Sequence, residues 1–317
     1  MNNLYPTLSL QEVTMNIKWM PLTLESVTLE NVFCFATCKI FTLRKLFYSI
    51  TITSLLITAL HAADYKDLTY WVIDDSIVIK GYSAPLVGHL DIPDKIEGYP
   101  VVAIYDKAFI CTTELTSIRI PETVKSIGTT AFWCSGITEI SLPRNLEYIG
   151  GFAFASAELN NIYIHDNITY IGALAFEGCD NLKDVHIGNG ITHLNWGVFR
   201  FSGVENITFS DNLISIGKEA FMNCIYLDEI NIPNSVITIN DYAFFGNSSL
   251  IDLVIPTGVT TIGESAFASC SRLKSAIIPP SVINFGDAAF AACHELKSIQ
   301  IPDSITSIGF RTFFSCY

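Results

Sequence analysis

Leu115-Thr-Ser-Ile-Arg-Ile-Pro121, Leu250-Ile-Asp-Leu-Val-Ile-Pro256 and Leu296-Lys-Ser-Ile-Gln-Ile-Pro302 are one sentence written three times. Each is followed by a Val-x-x-Ile-Gly or Ile-x-x-Ile-Gly step, then Ala-Phe or a close variant, then a small residue or Cys. The phenylalanines keep the count: Phe109, Phe132, Phe154, Phe176, Phe199, Phe221, Phe244, Phe267, Phe290 and Phe313, every interval 22 or 23 residues. A fixed period of this length is the mark of a stacked repeat, because one unit is too small to close a core of its own.

The physics of one unit can be read directly. In L-x-x-I-x-I-P the last two apolar positions alternate with a polar one, the period of a half-buried strand. Proline then ends ladder pairing and turns the chain. The Ile-Gly step predicts a second corner. Gly128, Gly150, Gly172, Gly217, Gly263, Gly286 and Gly309 stand there, with Asn195 and Asn240 in two repeats and Tyr105 in the first. Exchange of Gly with Asn predicts a left-handed backbone at this corner. Ala-Phe is expected on a short helical or irregular side with the ring turned inward. Stacking buries Leu, both Ile, Val and Phe, and aligns the strands into a continuous parallel sheet.

The pattern L-x-x-I-x-I-P-x-x-[VI]-x-x-I-G-x-x-[AS]-F-x-x-C resembles the BspA-type leucine-rich repeats of bacterial and protist surface proteins. The likeness covers Val101 to Tyr317 in about ten units. It implies an α/β repeat solenoid, a right-handed leucine-rich-repeat superhelix with a parallel β-sheet on one face and short helical or irregular segments on the other. It also implies an extracellular adhesion or ligand-binding module.

Bulk properties agree with a large core. Of 317 residues 50% are hydrophobic and 15% charged, too apolar for a disordered chain. The formal charge of -13 argues against nucleic acid, which needs a basic footprint. Residues 1–41 show no pattern of their own. Lys39, Arg44 and Lys45 precede an uncharged apolar run from Leu46 to Leu60 and then His61-Ala62-Ala63-Asp64. Residues 42–63 read as a secretory signal cleaved after Ala62 or Ala63, or as an uncleaved signal anchor. The run is short beside the roughly 20 apolar residues of a spanning helix. No cysteine follows it, which disfavours a lipoprotein anchor. Residues 64–100 read as a β-hairpin cap, with strands Tyr70–Ile73 and Ile77–Gly81 about a turn at Asp74-Asp75-Ser76, followed by a degenerate strand at His89–Pro93. Residues 101–317 hold the repeats and stop at Cys316-Tyr317 without a cap. That ending points to a truncated reading frame or to self-association through the open end.

Of nine cysteines, Cys179, Cys224, Cys270, Cys293 and Cys316 lie three residues after the phenylalanine, and Cys111 and Cys134 two after it. Neighbouring coils bring such positions close enough for a disulfide in principle. Yet Ser156, Ser202 and Asn247 fill similar places, so the slot reads as a compact buried thiol ahead of a disulfide or a metal ligand. The six histidines (His61, His89, His165, His186, His193 and His294) have no metalloprotease spacing. No nucleophile elbow, P-loop or dinucleotide fingerprint appears. No cofactor is implied, and an enzyme is the weakest reading.

Binding residues are therefore sought on the strand face. One outward column runs Arg119, Ser141, Tyr163, His186, Thr208, Asn231, Val254, Ile277, Gln300; a second runs Ser117, Glu139, Asn161, Asp184, Asn206, Glu229, Asp252, Ser275, Ser298. Tyr163 and His186 form an aromatic patch beside Asp184, Asn206, Thr208, Glu229 and Asn231. Val254 and Ile277, next to Asp252, are adjacent exposed apolar residues of the kind partners cover. These ten are the candidate partner-binding residues. The expected partner is a protein or glycan on a host, matrix or neighbouring cell, with no nucleic acid and no membrane contact beyond the anchor. A self-associating surface coat is the alternative. Asn167-Ile-Thr169, Asn206-Ile-Thr208 and Asn247-Ser-Ser249 match the N-glycosylation pattern. Sugar at Asn206 would argue against the proposed face.

Overall fold

A computed structural model describes residues 63–317. The lead and the apolar run from Leu46 to Leu60 lie outside the described residues. The repeats form a β-solenoid of about ten turns built from parallel sheets. Among the described residues the only helix is the 3-10 turn Tyr65–Asp67, so the side expected to be short helical or irregular carries turns and no helix in the repeats.

An antiparallel hairpin of Leu68–Ile73 and Ser76–Tyr82 begins the described chain, turning at Asp74 and Asp75, both at positive φ. Its second strand pairs in parallel with Tyr99–Ile104, which passes the ladder on to Ser126–Ile127, Tyr148–Ile149 and Tyr170–Ile171. These two-residue strands are the x-Ile of the Ile-Gly step, so what reads as a corner is a second sheet. It stops at Tyr170–Ile171 and resumes with a single bridge, His193 with Ser215, at the head of the ladder from Ser215–Ile216 to Asn284–Phe285.

The strand face carries the L-x-x-I-x-I segments. It is not one continuous sheet. Three ladders occur: Gly88–Asp91 with Leu115–Arg119 and Glu139–Ser141; Asn161–Ile164 with Asp184–Ile187 and Asn206–Thr208; Asp252–Val254 with Ser275–Ile277 and Ser298–Gln300. The last break lies at residues 228–232, which form no strand. It coincides with Phe209, which stands where neighbouring units have Ile187 and Ile232 and packs edge-on against Phe221 at 5.7 Å.

On the third side the phenylalanines stack. Consecutive rings from Phe109 to Phe290 are near-parallel, with centroids 5.1–5.4 Å apart, and the last pair, Phe290–Phe313, opens to 6.2 Å. A near-parallel pair at this spacing is an offset stack, stabilising by about 0.5–1.5 kcal/mol beyond burial. Each Phe amide from Phe109 to Phe290 donates to the next coil, as Phe154 N–H does to Ala175 O at 2.8 Å and Phe221 N–H to Ala243 O at 2.8 Å. Those donors are spent between coils, so no i to i−4 helix can form.

The left-handed backbone lies elsewhere than the glycine pattern predicts. The corner glycines from Gly128 to Gly309 are not at positive φ. Positive φ falls two residues before and two residues after every phenylalanine: Phe152 and Ser156 around Phe154, Tyr242 and Gly246 around Phe244, and so on through all ten units. Only Gly178, Gly197 and Gly246 among these positions are glycine. The corner glycines answer to a different constraint. A Cβ on Gly150 would stand 2.6 Å from the backbone carbon of Gly128, and one on Gly172 would stand 2.3 Å from Gly151 N. Coils touch backbone to backbone there. Asn195 and Asn240 fit by donating side-chain N–H to Ile171 O and Ile216 O at 2.6 and 2.8 Å.

Candidate binding face

The middle ladder sets the register that places the first group of candidates. Tyr163 pairs with His186 and His186 with Thr208; Asn161 pairs with Asp184 and Asp184 with Asn206. Strand neighbours lie about 4.8 Å apart, so equivalent side chains meet directly. The Tyr163 and His186 rings stack at 4.5 Å and 3°. Tyr163 remains 61% exposed, so the pair presents a rigid aromatic edge to solvent. Asn206 Nδ2 donates to Asp184 Oδ1 at 2.8 Å, fixing the polar row beside it.

Asp252, Val254 and Ile277 belong to the last ladder. Val254 pairs with Ile277 and Ile277 with Gln300. Val254 and Ile277 are both more than half exposed, and Ser275 Oγ donates to Asp252 Oδ1 at 2.6 Å. Glu229 and Asn231 are exposed on the unpaired coil between the two ladders. The structure thus brings the ten candidates together as two groups with a bridging coil.

The last group opens into a groove of about 1600 Å³ that runs from Asp228 to Ser304 across four coils. Pro256, Pro279 and Pro302, the residues that end the strands, form part of its lining. The columns show in the sequence; the groove does not, because it depends on the turn after each proline. At the opposite end of the face, Arg119 is ion-paired with Asp91, and His89 Nδ1 lies 2.8 Å from Ser117 Oγ.

Sequence reasoning missed a polar cluster on the phenylalanine side. Arg200 follows Phe199 directly, and Glu177 holds the same place one coil earlier. Arg200 bonds Glu177, and Glu219 at 2.8 Å, with all three side chains largely buried. Burial pulls the Arg200 pKa down, but the two carboxylates outweigh it and hold it above its ordinary value. The guanidinium also lies 5.4 Å from the Trp196 ring and 5.3 Å from that of Phe201. A charged residue at repeat positions otherwise held by apolar groups was the available signal.

The thiols are built into the fold. Cys179, Cys224, Cys270, Cys293 and Cys316 are free, and each donates to the carbonyl of the preceding coil's phenylalanine at 3.0–3.3 Å. Burial raises their pKa, to about 12 for Cys224 and Cys293. Cys134 differs from them in being disulfide-bonded. Among the described residues no group of three or more His, Cys, Asp or Glu could hold a metal ion. Asn247 occupies the slot between Cys224 and Cys270. It is fully buried with neither Nδ2 nor Oδ1 hydrogen-bonded, so its glycosylation motif is closed in the folded state.

With the geometry in hand, the family is settled by the repeat itself. The BspA type leucine rich repeat profile matches residues 102–212 and 197–317, most of the chain, and the protein belongs to that family. Solved structures similar to it include a leucine-rich repeat protein from Bacteroides ovatus (24% identity, 79% of this chain and 91% of that one, TM-score 0.45). A leucine rich cell surface protein from Faecalibacterium prausnitzii has 22% identity over 79% of this chain and 91% of that one, TM-score 0.43. The pneumococcal vaccine antigen PcpA has 17% identity over 77% and 92%, TM-score 0.41. No curated protein matches.

Proposed function

We propose that this chain is exported and works as a binding module, using the strand face to engage a protein or glycan of a host, matrix or neighbouring cell. The observation that carries the reading is the Tyr163–His186 stack, an ordered aromatic edge exposed beside the Asp184–Asn206 row. Rigid aromatic groups give contact area at small entropic loss, which is why they dominate binding hot spots. Export is supported by the basic and apolar segment from Lys39 to Ala63. Binding rather than catalysis is supported by the dispersal of the histidines: His165 is engaged with Pro143 O and His193 with Thr192, on separate coils.

The test compares partner capture from serum and matrix extracts by the wild-type chain and by Tyr163→Ala/His186→Ala. A partner held by the wild type and lost by the variant, at unchanged melting temperature, supports the reading. Equal capture by both removes the central face from it.

A further inference from the structure

The groove at the last ladder has a chemistry distinct from the central stack. Its exposed floor is apolar, with Val254 at 58% and Ile277 at 56% exposure, adjacent in register. Its acidic groups are Asp228, Glu229, Asp252 and Asp303, and no lysine, arginine or histidine is in the lining. Three of the acids, Asp228, Glu229 and Asp252, sit on the two coils nearest the break in the ladder. Lys274 and Lys297 lie outside the lining, next to Ser275 and Ser298 on the two following coils. The field in the groove is therefore negative at its Glu229 end and apolar in the middle.

Two adjacent β-branched side chains left in water are an unfilled contact, and burying them would stabilise a complex by about 25 cal/mol per Å² of apolar area. Carboxylates beside such a floor select for cations and repel anions, which sets specificity and association rate more than affinity. A second copy of this chain brings the same negative field and the same net charge of -13. The charge balance excludes it as the favoured occupant.

We infer that this groove docks an extended protein segment in which apolar side chains alternate with lysine or arginine. The apolar residues cover Val254 and Ile277, and a basic residue is held at Glu229 and Asp252. This rests on the strand face being a binding surface and adds the class of partner and the place.

The probe is a fluorescein-labelled eight-residue peptide of alternating lysine and valine or isoleucine, titrated into the full chain and followed by anisotropy. Binding should weaken about tenfold when salt rises from about 0.05 to 0.5 M, because the carboxylates are solvent-exposed. It should weaken about tenfold or more in Glu229→Gln/Asp252→Asn and again in Val254→Ser/Ile277→Ser. A glutamate-for-lysine peptide binding equally well overturns the inference. So does wild-type affinity in both groove variants, or a dimer of the chain in sedimentation that Ile277→Ser dissolves. If the peptide fails while the Tyr163 variant still loses its captured partner, the groove is wrong and the face reading stands.

Discussion

The column of phenylalanines inside the solenoid and the Tyr163–His186 pair outside it are products of the same coil-to-coil translation, yet they differ in what they tolerate. Inside, nine rings from Phe109 to Phe290 are fully buried and the ring appears in every unit. Outside, the strand column changes chemistry along its length, from Arg119 through Tyr163 and His186 to Val254 and Ile277. The repeat imposes stacking in both places. Only the interior also imposes the residue. An aromatic stack that recurs in each coil belongs to the fold, whereas outer stacks such as Tyr163–His186 and Tyr148–Tyr170 join only two coils and are not imposed by the repeat.

Breaking the interior should have the largest effect. Phe199→Ala removes a central ring with two stacked neighbours and should lower stability by about 3–5 kcal/mol in urea denaturation. A loss under about 1 kcal/mol would show that the column is filled rather than structural. A smaller change of opposite sign is expected at Asn247. Its unpartnered amide is held dry in the slot where neighbouring coils carry Cys224 and Cys270, so Asn247→Cys should raise stability by about 1–3 kcal/mol. No gain would mean the amide finds a partner in solution.

The buried thiols sharpen the contrast through pH. Their folded pKa lies above the unfolded value, so the stability they contribute is complete below about pH 9 and is lost as pH rises toward about 12. Melting temperature should fall between pH 8.5 and 10.5 in the wild type, and less steeply in Cys224→Ala/Cys293→Ala. Equal slopes would reject the assignment. Least of all, Tyr163→Ala/His186→Ala should move stability by no more than about 0.5 kcal/mol while changing partner capture. A large destabilisation would return that pair to the category of structural stacks.

The repeat unit, its strand and its inward phenylalanine were legible because hydrophobic period reports which side chains face the core. The two outward columns follow from the same period. The glycine pattern was legible as a restriction but misread as to cause. Gly and Asn share tolerance of positive φ, and they also share the ability to fit where two backbones meet, Gly by lacking a Cβ and Asn195 by bonding the carbonyl it approaches. The strained positions, such as Leu174 and Tyr242, hold ordinary residues whose cost of about 1 kcal/mol each is overridden by the inter-coil ladder. Sequence offers no signal for that, because the ladder and not the residue selects the conformation. The last break in the strand face falls beside one bulky residue, Phe209, and the groove beyond it is lined by the prolines that end the strands. A periodicity count averages such single events away.

The amide of each phenylalanine from Phe109 to Phe290 is bonded to the coil that follows it, 21 or 22 residues on, so each coil is held chiefly by its immediate neighbours. Under tension applied from the ends, such a molecule comes apart one loop at a time. Each loop freed lengthens the tether by about 75 Å, the extended reach of some 23 residues less the rise between coils. A solenoid of this design would yield in even steps under load, a graded mechanical fuse rather than a rigid strut.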